Sequence, residues 1–142
     1  MHRVILALFF TATALTAQPS ADAVKKELNA FQGTWTLVSG QNSDGKVFAA
    51  EEFKDVSLVV DGDKFFLKEK GKVSIEGTFT VDPTKKLKTI DVNYKNPNGR
   101  LLGIYQIDGD TRKSCFAEDG KTRPDGFRKE KGFMLFEWKR AK

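Results

Sequence analysis

Few residues of this chain have the types and spacing that catalysis requires. The single histidine, His2, lies in an N-terminal segment that we expect to be removed, so the remaining chain has no histidine for a catalytic pair or a zinc site. Glu51–Glu52 and Glu118–Asp119 are adjacent acids, but neighbouring side chains on a strand point to opposite sides. Neither pair is therefore placed to flank a glycosidic bond. The sequence predicts no catalytic residues and no enzyme.

Two Asp-Gly-Asp sequences, at 61–63 and 108–110, bring carboxylates close together. A calcium ion needs roughly six to eight converging oxygen ligands, and each of these sequences offers two carboxylates. Asp-Gly is also the preferred sequence of two-residue hairpin loops. We therefore expect solvated turns here, with no metal site and no cofactor.

The second of these turns groups three polar residues on one strand face. With a two-residue loop, Tyr105 shares its face with Arg112 and Ser114. If that face lines a lumen, a guanidinium and two hydroxyl groups meet in an apolar pocket, where they could hold the carboxylate of an amphiphile. The alternative is that Arg112, which lies close to the turn, is at the barrel mouth with its charged group in water.

The elements that would carry these residues follow from the hydrophobic period. A helix capped by Asp22 is predicted to run to about Phe31, with Gly33 ending it. From there the period is two, with turn residues about every ten positions. Strands are predicted near 34–39, 56–60, 64–69, 73–81, 89–94, 101–108, 111–117 and 133–139.

Hairpin registers group the apolar residues of these strands. The Asp61-Gly62 turn places Val56, Leu58 and Val60 on one face with Phe65 and Leu67. A three-residue loop at 70–72 is then predicted, because it keeps four apolar residues of the next strand on the same face. These four are Val73, Ile75, Phe79 and Val81.

Consecutive hairpins that each have one apolar face must stack as two sheets or close into a barrel, and closure removes exposed strand edges. We therefore predict an all-β fold over residues 22–142: an antiparallel, up-and-down, lipocalin-like barrel of about eight strands with a short N-terminal helix. A barrel of that size has a lumen that is filled by side chains or just holds one small ligand.

The N-terminal segment has the pattern of a secretory signal peptide. Residues 1–3 include a basic start, residues 4–15 are uncharged and mostly apolar, and small residues follow. The apolar run is shorter than the ~20 residues of a membrane-spanning helix. We predict a signal peptide at 1–17, with cleavage as late as 23 as the alternative, and export to the periplasm, cell envelope or extracellular space. No stable membrane insertion is expected after cleavage.

The chain has a net charge of +5 and one cysteine. Clustered lysines, such as those at 64–72, are typical of a solvated surface or of contact with anionic envelope polymers. Nucleic-acid binding is not expected, because Phe65 and Phe79 are assigned to the core face and so are not free to stack on bases. Cys115 is predicted to be buried and inert, with an intermolecular bridge as the alternative.

Gly33-Thr34-Trp35, after a helix and opening a strand, resembles the Gly-x-Trp signature of lipocalins. In that fold the tryptophan closes the barrel base and a basic residue from near the chain end packs over it. The resemblance makes Arg140, or Lys139, the counterpart here. Trp35 as an ordinary core residue is the alternative.

A longer resemblance covers about residues 23–139. The sequences at 31–35, 82–86, 102–111, 115–117 and 123–124 are similar to those of a small lipocalin-like domain of unknown function that is abundant in planctomycete bacteria. The resemblance implies a barrel and no established activity. Arg112 and Ser114 depart from the family pattern, which usually has apolar residues there, so a wholly apolar lumen is not implied.

Two functions follow from this fold. The first is a barrel that binds a small apolar or amphipathic molecule, with Phe79 and Phe116 joining Tyr105, Arg112 and Ser114 as ligand-binding residues. The second is a structural or protein-interaction module of the cell envelope whose lumen is filled by its own side chains, such as Phe65 and Phe136. The volume of the lumen separates them, since ligand pockets measure roughly 300–1,000 Å³.

Overall fold

A computed structural model of the chain describes residues 18–95 and 97–142. The predicted signal peptide at 1–17 lies outside the described residues. The chain forms two helices, α1 (Ala21–Phe31) and α2 (Ala50–Phe53), and eight strands. The strands are β1 (Gly33–Gln41), β2 (Val56–Asp61), β3 (Lys64–Glu69), β4 (Lys72–Asp82), β5 (Thr89–Lys95), β6 (Gly99–Asp108), β7 (Thr111–Ala117) and β8 (Phe133–Arg140).

The strands pair antiparallel in sequence order, and β8 pairs back onto β1 to close the barrel. This confirms the predicted all-β, up-and-down barrel with a short N-terminal helix. Closure leaves no free sheet edge, so every strand has two hydrogen-bonded neighbours. The connections after β1, β3, β5 and β7 lie at one end of the barrel, and those after β2, β4 and β6 lie at the other end, together with α1.

Helix α1 starts two residues earlier than its sequence suggested. The cap is Ser20, whose hydroxyl oxygen accepts a hydrogen bond of 3.1 Å from the backbone N–H of Ala23. Asp22 was predicted as the cap but lies in the first turn, where its charge favours the positive end of the helix dipole. Gly33 follows the helix with a φ of +105°, a conformation that side chains other than glycine rarely adopt.

Two predicted hairpin registers are confirmed. Asp61 pairs with Lys64, and this two-residue loop sets Val60 opposite Phe65 and Leu58 opposite Leu67. In the same way Asp108 pairs with Thr111. The β6–β7 register then sets Ile107 opposite Arg112, Tyr105 opposite Ser114 and Gly103 opposite Phe116.

The predicted three-residue loop between β3 and β4 is wrong. Glu69 pairs with Lys72, so the loop has two residues, and both Lys70 and Gly71 have positive φ. A β-bulge gives β4 one more residue than β3 at this point, since Val73 lies opposite Lys68 while Ile75 lies opposite Leu67. Val73 is therefore on the outer face and half exposed, not on the apolar inner face as predicted.

A second, smaller core lies outside the barrel wall. Ile104, Cys115 and Leu135 from three adjacent strands pack there, and Phe127 from the β7–β8 connection packs against them. Cys115 is fully buried, and this burial raises the pKa of its thiol. The hairpin patterns did not predict this core, because they assigned one apolar face to each strand.

Candidate functional site: the barrel lumen

The inner faces of the strands enclose a cavity of about 690 Å³. Aliphatic and aromatic side chains form most of its wall, including Leu58, Phe65, Val92, Leu101 and Met134. This volume is within the range of small-molecule pockets, roughly 300–1,000 Å³. The lumen is therefore large enough for a ligand, although phenylalanines from four strands contribute to its wall.

The cavity opens at the end of the barrel that carries α2 and the β3–β4 turn. Acidic side chains line this mouth, namely Glu52, Glu69, Glu118 and Asp119. Glu52 is paired with Lys46, with 3.0 Å between the ammonium nitrogen and a carboxylate oxygen. Basic residues also lie at this end, since Lys70 follows Glu69 in the β3–β4 turn. Neither α2 nor this charge pattern was predicted, since the segment between β1 and β2 has no strong hydrophobic period.

Helix α1 closes the opposite end. Phe31, at its last turn, is almost fully buried and packs on Phe79 and Tyr105, with ring centroids 5.3 and 4.9 Å apart. The Tyr105 hydroxyl donates a 2.9 Å hydrogen bond to the Glu27 carboxylate, which also pairs with Lys88 at 2.8 Å. Burial, with the neighbouring Glu27 carboxylate, raises the pKa of Tyr105. These contacts hold the helix onto the barrel.

Trp35 and Arg140 complete the closed end. Trp35 is fully buried, and its indole N–H donates a 2.8 Å hydrogen bond to the Phe31 carbonyl. The Arg140 guanidinium lies 4.3 Å from the indole centroid. It donates hydrogen bonds to the carbonyls of Ala30 and Gln32, at the C-terminal end of α1. Arg140, and not the exposed Lys139, thus occupies the position that the Gly-x-Trp resemblance implied.

Arg112 lies just inside this closed end. It is 8% exposed, and its guanidinium carbon is 5.1 Å from the ring centroids of Phe31 and Trp35 and 5.8 Å from that of Trp138. Burial, and then the nearby charge of Arg140, lowers the pKa of Arg112 to about 9. The alternative of a water-exposed position at the barrel mouth does not describe this residue, because the β6–β7 turn lies at the end that α1 covers.

Arg112 has no polar partner within residues 18–95 and 97–142. No described side chain or carbonyl accepts a hydrogen bond from its guanidinium, and no described carboxylate forms an ion pair with it. Its Nε atom is inaccessible to solvent and unbonded. Arg112 is among the residues that line the cavity. An unpaired buried cation is costly, so this position is unusual for a residue with a purely structural role.

The structure brings most of the predicted lumen residues together. Phe79, Arg112, Ser114 and Phe116 all line the cavity. Tyr105 does not line it, because its ring packs on α1 and its hydroxyl is bonded to Glu27. The hairpin register placed Tyr105 on the correct face, but its partner on α1 is far away in sequence and had no sequence signal.

Comparison of the chain with protein-family models, with curated proteins and with solved structures finds no match. Neither α1 nor α2 is long and apolar enough to cross a membrane. Across the described part of the chain, no three histidine, cysteine, aspartate or glutamate side chains are grouped as a metal site would require.

Proposed function

We propose that this protein binds a small apolar or amphipathic molecule in the lumen of its barrel. The observation that carries this proposal is the cavity of about 690 Å³, which has an apolar wall and an opening at one end. Each methylene group that a ligand buries against such a wall contributes about 0.8 kcal/mol. A ligand with an alkyl or ring portion gains affinity from this effect without any specific polar contact.

The alternative function, a structural module with a filled lumen, has less support. That function needs aromatic side chains such as Phe65, Phe116 and Phe136 to occupy the barrel interior. In the structure these three line the cavity wall and leave space between them. Phe116 and Phe136 are 6.5 Å apart between ring centroids and pack along the wall.

Export of the protein is part of the same proposal. It is supported by the basic start, the apolar run and the small residues of segment 1–17. Expression of the full chain in a bacterium, followed by fractionation and intact mass measurement, tests it. A mature mass that begins at residue 18, in the periplasm or medium, is the expected result. An intact N-terminus in the cytoplasm would contradict export without affecting lumen binding.

Lumen binding is tested with an uncharged fluorescent probe, N-phenyl-1-naphthylamine. We expect the probe to bind wild-type protein and to brighten as it leaves water. Leu101→Trp, which places a larger side chain in the cavity, should weaken binding at least about tenfold, because the ring occupies ligand volume. Val38→Trp is the matched control, since Val38 is an exposed valine on β1, and it should leave binding unchanged.

The outcomes of this titration divide the two functions. Probe binding that Leu101→Trp weakens and Val38→Trp leaves intact supports the lumen. No binding to wild-type protein, or equal binding to the two variants, favours the structural module. Native mass spectrometry of protein purified from its own envelope adds a second measurement, because a co-purifying lipid identifies the class of ligand.

A further inference from the structure

We infer that Arg112 forms an anion subsite at the closed end of the lumen. The ligand then enters with its head group first: one carboxylate lies against Arg112, and the apolar chain extends toward the mouth. This inference rests on the proposed function, because it concerns the orientation and chemical class of the same ligand. It identifies that class as amphiphiles with a single anionic head group, of which a fatty acid is the simplest.

The contrast between two neighbouring arginines supports the subsite. Arg140 donates to the carbonyls of Ala30 and Gln32 and forms an ion pair of 3.0 Å with Asp110. Arg112 makes no such contact with any described residue, although it is far more deeply buried. A guanidinium carries five N–H donors in one plane, and a carboxylate can accept two of them in parallel. Asp110 and two carbonyls accept hydrogen bonds from Arg140, whereas no described residue accepts one from Arg112.

The aromatic rings around Arg112 hold the guanidinium in place without replacing an anion. Phe31, Trp35 and Trp138 attract the cation through their ring faces. Ring faces stabilise the charge, but they are weak acceptors for the N–H groups of a guanidinium. The cation is therefore preorganised, and a ligand pays little to order it.

Ser114 gives the subsite a second polar group. It follows Arg112 by two positions on β7, so both side chains are on the lumen face. Its side chain is buried and lines the same cavity. A hydroxyl beside a guanidinium adds a neutral donor for a carboxylate oxygen. The rest of the nearby wall is apolar, which strengthens a charge-assisted hydrogen bond there.

The charged residues that line the lumen differ between its two ends. Glu69, Glu118 and Asp119 line the opening, at the opposite end of the lumen from Arg112. An anionic head group at the mouth would lie near these carboxylates, whereas at the base it meets the Arg112 guanidinium. A monocarboxylate should therefore bind more tightly than a dicarboxylate of the same length, whose second carboxylate would lie near Glu69, Glu118 and Asp119.

Calorimetric titration of three probes with equal chain length tests the inference: dodecanoic acid, 1-dodecanol and dodecanedioic acid. For wild-type protein at neutral pH we expect the monoacid to bind at least about tenfold more tightly than the alcohol. The diacid should bind more weakly than the monoacid. In Arg112→Met the preference for the acid over the alcohol should disappear while the affinity for the alcohol is retained.

Two further variants control for charge and for folding. Arg100→Met removes one positive charge from an exposed side chain on β6 and should change no affinity. Arg112→Lys keeps the charge but loses the planar pair of donors, so it should retain part of the acid preference. If Arg112→Met does not fold, Arg112→Lys and Ser114→Ala carry the comparison, with a reduced acid preference expected in each.

Carbon-13 NMR gives a readout that needs no variant. Dodecanoic acid labelled at its carboxyl carbon should titrate in the complex at a lower pH than free acid, because the adjacent cation stabilises the carboxylate. Acid and alcohol binding with equal affinity, or a carboxyl pKa at or above its free value, would overturn the subsite and leave lumen binding intact. Failure of both acid and alcohol to bind would overturn the proposed function itself.

Discussion

Loss of the Arg140 side chain should detach α1 from the closed end of the barrel. Its guanidinium stacks on Trp35 and donates hydrogen bonds to the carbonyls of Ala30 and Gln32. It also pairs with Asp110, which is largely exposed. Arg140→Met keeps an apolar side chain of similar length, so the substitution removes the polar and cation–π interactions while much of the packing remains.

The size of the effect follows from these contacts. Hydrogen bonds from a charged donor contribute about 1.5–3 kcal/mol each, and we take about 1 kcal/mol for each here because the side chain is partly exposed. The cation–π contact adds about 1 kcal/mol, and the exposed ion pair with Asp110 adds less than about 1 kcal/mol. We expect a loss of about 3 kcal/mol, which lowers Tm by roughly 12 °C in a domain of this size.

Urea and thermal unfolding measure this loss, with Lys139→Met as the matched control. Lys139 is the preceding residue on β8, is exposed, and carries the same charge, so its loss should cost less than about 0.5 kcal/mol. Hydrogen exchange should show faster exchange in α1 for Arg140→Met alone. Equal stability of the two variants, with α1 protection unchanged, would refute the role assigned to Arg140.

Three other perturbations test separate parts of the structure. At pH 7 Arg112→Met should be at least as stable to urea as wild type, because it removes a buried charge. Burial lowers the pKa of Arg112 in the folded protein to about 9, so the destabilisation from that charge is complete below about pH 9 and is relieved above it. The stability of wild type should therefore rise relative to that of the variant above about pH 9, and a difference independent of pH would contradict the burial. The Cys115 thiol should react with a disulfide reagent at least about 100-fold more slowly in folded than in unfolded protein, because it is buried and its pKa is raised. Equal rates would mean that the β7–β8 connection, which contains Phe127, does not cover the thiol. Glu27→Gln should lower the free energy of unfolding measured by calorimetry by about 1–2 kcal/mol, because it weakens the contacts to Tyr105 and Lys88. The control, Asp22→Asn at an exposed position, should lower it by less. Equal small losses in the two variants would show that Glu27 does not hold α1 in place.

The strands and their inner faces were predictable because their signals are local. A period of two identifies a strand with one apolar face, and Asp-Gly marks a two-residue turn wherever it occurs. Both predicted Asp-Gly registers, at 61–64 and 108–111, are those of the structure. Closure into a barrel followed from the number of hairpins and from the cost of unpaired edges.

The β3–β4 hairpin shows where this local reasoning ends. One additional residue is needed between β3 and the apolar residues of β4 to keep those residues on the inner face. Either a three-residue loop or a β-bulge supplies it. In the structure the loop has two residues, Lys70 and Gly71, which both have positive φ, and a bulge beside Val73 supplies the additional residue. The apolar pattern alone does not distinguish the two solutions, and the strand register in the folded barrel shows which one is adopted.

The lumen was predictable only in outline for the same reason. The register of one hairpin determined that Arg112 and Ser114 face inward, since that follows from side-chain alternation along β7. The surroundings of Arg112 depend on closure of the barrel. Pairing of β8 with β7 brings Trp138 opposite Arg112, and pairing of β8 with β1 brings the strand that carries Trp35 beside β8. These contacts join residues about 25 to 80 positions apart, so only the tertiary structure decided that the guanidinium is buried among aromatic rings, with no polar partner in the described part of the chain.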